Sequence, residues 1–138
     1  MTVIVCLDEK LGMTFNRRRQ SRDRVLCDDV LRDVAKKNSR LLMAEYSKML
    51  FGRTDVPIIC CDDFLDLAEE SDTCFVENRA LLPYAYKIDT LIIYRWNRHY
   101  PSDTAFDLDI KNEGFSLVSA EDFHGSSHEK ITKEIYVK

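Results

Sequence analysis

The stretch that most constrains the fold is residues 80–107, ALLPYAYKIDTLIIYRWNRHYPSDTAFD. Within it, Thr90–Trp96 is apolar on both of its alternating sets of side chains, the pattern of a central strand covered on both faces. Such a strand requires neighbours on either side and an apolar layer above and below. A short helix ending at Leu81-Leu82-Pro83 leads into it, and the polar turn Ser102-Asp103-Thr104 follows.

The residues before it alternate between strand and helix patterns. Residues 2–7, TVIVCL, form a β-branched apolar run stopped by Asp8-Glu9-Lys10 and Gly12. From Ser21 onward, Val25, Leu26, Val30, Leu31 and Val34 recur at helical spacing. Ser21 is the expected N-cap, Asp23 sits near the positive end of the dipole, and the helix is expected to end near Asn38. Residues 40–43 read as a strand and Ser47–Phe51 as a brief helix closed by Gly52. Pro57 opens a strand over 58–61, Asp62 caps an acidic helix, and Thr73–Val76 is a further strand. Alternation over short connections predicts a largely parallel sheet with helices on its faces. Phe115–Ser119 and Ile131–Val137, joined by a polar loop containing Gly125, predict an antiparallel hairpin at one edge.

At 138 residues the chain is expected to form one domain, residues 1–138. No apolar run approaches the ~20 residues of a membrane helix, and the first residues carry no basic leader, which predicts a cytoplasmic protein. Five cysteines without a CxxC pair read as reduced core residues, and no metal site is expected. A net charge of −4 argues against a surface devoted to nucleic acid. One local exception stands out, because Arg17, Arg18, Arg19, Arg22 and Arg24 fall within eight residues.

Several short motifs share an order. Val5–Gly12 with Met13 and Asn16, Leu81–Ala85, Asp103-Thr104, and Phe115–Ser119 paired with Glu134-Ile135-Tyr136 together resemble dihydrofolate reductase from end to end. The resemblance implies an α/β fold with a mixed, mostly parallel sheet flanked by helices and a C-terminal antiparallel hairpin. It also exposes gaps in that family's chemistry. Arg18-Arg19 stand where the family has "LPW", and the proton-handling carboxylate of the long helix aligns with Arg24, leaving Asp23, one residue away, as the candidate substitute. Tyr94 replaces the family's core-strand threonine and is expected to fill the pterin slot. Ala44-Glu45-Tyr46-Ser47 replaces "GRxT", and Glu77-Asn78 replaces the "GG" turn, so a carboxylate and side chains occupy positions that approach dinucleotide phosphates.

These gaps predict a divergent member that is not an active dihydrofolate reductase and needs no cofactor. Its expected ligand is a small anion held by Asn16, Arg17, Arg19, Gln20 and Arg24, beside a pocket lined by Ser47 and Tyr94. A solvated basic loop is the plain alternative for those arginines. Two other functions remain open: an NADPH-dependent reductase of a pterin-like heterocycle using Asp23, and an RNA- or nucleotide-binding protein. A homodimer is one way to cover apolar surface left by a lost cofactor groove. His124 and His128, four apart around Gly125-Ser126-Ser127, read as part of a mobile hairpin loop.

Overall fold

The computed structural model describes all 138 residues. Seven strands form the main sheet in the order β5-β4-β6-β1-β7-β10-β9: β1 Thr2–Leu7, β4 Leu41–Met43, β5 Ile58–Cys60, β6 Thr73–Phe75, β7 Thr90–Arg95, β9 Ser116–Phe123 and β10 Ile131–Val137. The first five of these strands in chain order pair in parallel, and β10 runs antiparallel to both β7 and β9. A small second sheet joins β2 (Gly12–Phe15) to β3 (Arg18–Arg19) and β8 (Thr104–Ala105).

Strand periodicity divides the core into two layers. Along β1, Val3, Val5 and Leu7 face one cluster and Ile4 the other; along β7, Leu91 and Ile93 part in the same way from Ile92 and Tyr94. Helix α1 (Arg24–Lys36) covers the second cluster with Leu26, Cys27, Val30 and Val34. The four-residue α2 (Phe64–Leu67) and the 3₁₀ segment Leu82–Lys87 cover the first through Phe64, Leu65 and Ala85. No helix is long and apolar enough to cross a membrane.

Element boundaries differ from expectation where polar side chains choose between competing backbone partners. Asp23, not Ser21, caps α1, because its Oδ1 accepts from the N–H groups of Val25 and Leu26. The helix ends at Lys36, and Asn38 turns out of it at φ 51°. The short helix expected over Ser47–Phe51 is a 3₁₀ segment, Glu45–Leu50. The acidic helix expected from Asp62 shrinks to α2, and the hairpin strand expected to end at Ser119 continues to Phe123.

Candidate functional site

Three connections meet at the N-terminus of α1: the β3–α1 turn, the loop after β7, and the β9–β10 hairpin. Their meeting point is Asp23. Beyond its two capping bonds, its carboxylate accepts from Ser126 N–H (3.0 Å), Ser127 N–H (2.8 Å) and His128 Nδ1 (3.0 Å). Ser127 Oγ adds a longer bond of 3.3 Å, and Arg24 N–H donates to Ser126 Oγ. Gly125 permits this approach, since a Cβ there would collide with the Asp23 carboxylate. Burial pushes the Asp23 carboxyl up, but the N–H donors of Ser127 and Ser126, the His128 ring and Leu26 N–H outweigh it and hold the group well below the usual carboxylate range. Asp23 is therefore a buried, fully hydrogen-bonded anion.

His128 lies in this network and not in a mobile loop. Its side chain is 2% exposed, its ring stacks on Trp96 with centroids 4.6 Å apart, and its Nε2 lies 3.0 Å from Ser21 Oγ and 3.2 Å from Tyr100 Oη. His124 stays exposed, with Nδ1 against the Glu129 carbonyl. The sequence offered one local hint: Gly-Ser-Ser supplies small, donor-rich residues suited to wrapping an anion. Nothing local named the anion, which is 105 residues away.

The predicted ligand residues separate into two groups. Arg19 turns inward and binds Glu77 through both Nε (2.8 Å) and Nη2 (3.0 Å), with its guanidinium 4.3 Å from the Tyr46 ring centroid. Ser47 donates to the same Glu77 carboxylate at 2.8 Å. Gln20 Nε2 donates to Asp8 at 3.0 Å, while its Oε1 is buried without a partner. Tyr94 is fully buried, and its hydroxyl donates to Asp29 at 2.6 Å. Lys133 Nζ meets Asp29 at 2.8 Å and also pairs with Asp33. Asn16, Arg17 and Arg24 are exposed, as are Arg18 and Arg22.

A cleft between α1 and the sheet is lined by Arg19, Gln20, Ser21, Asp23, Leu26, Glu77 and Trp96, among others. It encloses about 20 Å³, room for about one water. Ser47 and Tyr94 are not in its wall. Cys27 is, but burial, reinforced by the Glu77 carboxylate, pushes its thiol up to about 12, so it is not a ready thiolate. No group of three or more His, Cys, Asp or Glu side chains is placed to hold a metal ion.

The exposed arginines occupy separate depressions. Arg22 and Arg24 flank one of about 260 Å³ with Cys27, Met49 and Leu50. Arg17 borders another with Asn16, Asn78 and Asp103, and Arg18 a third with Phe15 and Tyr100. None of these four arginines makes an ion pair, whereas Arg19, Arg32, Arg40, Arg79 and Arg95 each do.

No protein-family profile matches the sequence, and no curated protein matches it. Among solved structures, the chain is similar to a dihydrofolate reductase from Enterococcus faecalis complexed with NADP(H) and RAB-propyl. The two share 11% identity and a TM-score of 0.59, over 99% of this chain and 94% of the other. At that identity the likeness carries architecture without function. With its mixed, mostly parallel sheet, its covering helices and its C-terminal antiparallel hairpin, the chain has the dihydrofolate reductase fold.

Proposed function

We propose that this protein uses the dihydrofolate reductase fold to bind a small anion at the arginine-rich segment and does not reduce a pterin. The observation that carries the reading is the set of four exposed arginines, Arg17, Arg18, Arg22 and Arg24, gathered within eight residues and free of carboxylate partners. Of the four, Arg22 and Arg24 border the same depression, where an anion offsets the repulsion between two like charges. The Arg22–Arg24 depression is the preferred seat, since Met49, 86% exposed, and Leu50 give it an apolar side against which the body of an organic anion can rest.

Two features support the non-reductase half. The cleft between α1 and the sheet holds about one water, far below the several hundred Å³ of an ordinary ligand site. Where the resemblance places phosphate-approaching glycines, Glu77 is a largely buried carboxylate bound to Arg19 and Ser47. Where it places a cation, Glu45 opens the 3₁₀ segment. These residues do not fit a dinucleotide phosphate, so the reading assigns no nicotinamide cofactor.

The test is a thermal-shift titration against pyrophosphate, NADPH, dihydrofolate and a short RNA at low and moderate salt. A ligand at a hundred times its Kd adds ~2.7 kcal/mol, several degrees for a domain of this size. The expected result is a salt-sensitive shift with pyrophosphate that disappears in Arg22→Ala/Arg24→Ala. A shift with NADPH that survives those substitutions would overturn the reading, and a shift confined to RNA would move it to nucleic-acid binding.

A further inference from the structure

The contacts of His128 do more than close a hairpin over a helix end. With Nδ1–H donated to Asp23 Oδ2 at 3.0 Å, the neutral ring leaves Nε2 as a bare acceptor, and Ser21 Oγ lies 3.0 Å from it. The imidazole is fixed in its plane by Trp96 at 4.6 Å. The carboxylate behind it is oriented by the N–H groups of Val25, Leu26, Ser126 and Ser127. A hydroxyl, a ring held in one tautomer and a buried carboxylate that orients the ring are the parts of an activated serine nucleophile, which is recognised by geometry and not by fold or chain order.

We propose that Ser21, His128 and Asp23 form a nucleophilic triad that hydrolyses esters of small acyl groups. Ser21, half-buried, and Asp23, buried, both line the cleft beside α1, whereas His128 is buried outside its wall; the Asp23 oxygens are taken up by hydrogen bonds, which leaves Ser21 as the nucleophile. The enclosed part of the cleft has room for about one water, so only the smallest acyl groups can be attacked there, with the alcohol part of the ester outside in solvent. The main-chain N–H groups of Ser21 and Arg22 find no acceptor within the protein, which leaves hydrogen-bond donors for an oxyanion on the nucleophile's own turn. In the first step Ser21 Oγ bonds to the acyl carbon, its proton passes to His128 Nε2, and the acyl–oxygen bond to the alcohol breaks as that alcohol takes the proton. Water then attacks the acyl-serine through the same imidazole, releasing the carboxylic acid and restoring the serine. Tyr100 Oη, 3.2 Å from the same nitrogen, competes with Ser21 for its single lone pair. The hydrogen bonds of the triad involve neither the Arg22 nor the Arg24 guanidinium.

The experiment treats the full chain with a fluorophosphonate, locates the adduct by peptide mass spectrometry, and follows 4-nitrophenyl acetate hydrolysis in parallel. The expected result is an adduct on Ser21 that is absent from heat-denatured protein, and an initial burst lost in Ser21→Ala. His128→Gln is expected to slow acylation about 100-fold or more, the usual share of a general base. An unlabelled Ser21 in folded wild-type protein would overturn the proposal even if the His128 variant failed to fold, as would hydrolysis undiminished in Ser21→Ala. Anion titration of the labelled protein reads the arginine site separately.

Discussion

At the scale of single residues, Asp23 has the most to lose. It caps α1 and is the anchor to which the β9–β10 hairpin is bonded, so removing its carboxylate takes away a helix cap and strands the buried donor of His128 and the part-buried one of Ser127. A lost cap costs about 1 kcal/mol, and stranded buried donors a further 1–3. Asp23→Ala is therefore expected to lower stability by about 3 kcal/mol in urea unfolding. The charge makes a second prediction. Because the folded carboxyl sits below its unfolded value, the contribution is complete above pH ~4 and is lost as pH falls toward the folded value. Asp23→Asn should flatten the acid limb of the stability curve, and an unchanged acid slope would mean that the carboxylate is not held as its contacts indicate. Tyr94 shows the opposite limit of residue-scale reasoning. It is expected to fill the pterin slot and line a pocket, but its hydroxyl is committed to Asp29 and the side chain stands outside the cleft wall.

At the scale of elements, the periodicity of α1 was legible because Leu26, Val30 and Val34 repeat at the spacing of one helix face, and all three are buried. The face that meets β10 was not, since it is polar. Lys133 pairs in register with Tyr94 across β10 and β7, is itself 4% exposed, and reaches Asp29 and Asp33 one turn apart on α1. Burial lowers the Lys133 pKa, but the two aspartates outweigh it and raise the value above that of an ordinary lysine. The ammonium therefore stays charged and ties the helix to the sheet. Removing one partner of a buried ion pair typically costs 3–5 kcal/mol. Arg32 and the Tyr94 hydroxyl remain on Asp29, so Lys133→Met is expected near the lower end, about 3 kcal/mol. In a double-mutant cycle with Asp33→Asn, the combined cost should fall short of the sum of the separate costs by about 1 kcal/mol. Additive costs would show that the cation and Asp33 do not act as a pair.

At the scale of the whole molecule, two placements in the sheet were legible: β7, apolar on both faces, inside it, and the C-terminal pair at an edge; the order of the other strands was not. The candidate site was legible only in part. Composition located the arginine cluster, but which arginine turns inward depends on Glu77, 58 residues from Arg19, and the partner of Asp23 lies more than a hundred residues away. Local periodicity carries no information about such pairs. The same topology sets a gradient of stability. β1 is bonded on both sides, by β6 and β7, and β7 by β1 and β10, so their N–H groups reach solvent only when the sheet comes apart. β9 has a partner only on its β10 side, leaving alternate N–H groups directed outward, and Leu117 and Val118 are more than half exposed. In native-state hydrogen exchange, amides of β1 and β7 are expected to exchange at the rate of global unfolding, while the outward amides of β9 exchange many-fold faster with no dependence on denaturant. The hairpin end near Phe123 should be an exception, because the loop that follows is fastened through Ser126 and Ser127 to Asp23. Its protection should fall selectively in Asp23→Ala, and a loss spread evenly over the sheet would mean that the network stabilises the fold without anchoring that end of the hairpin.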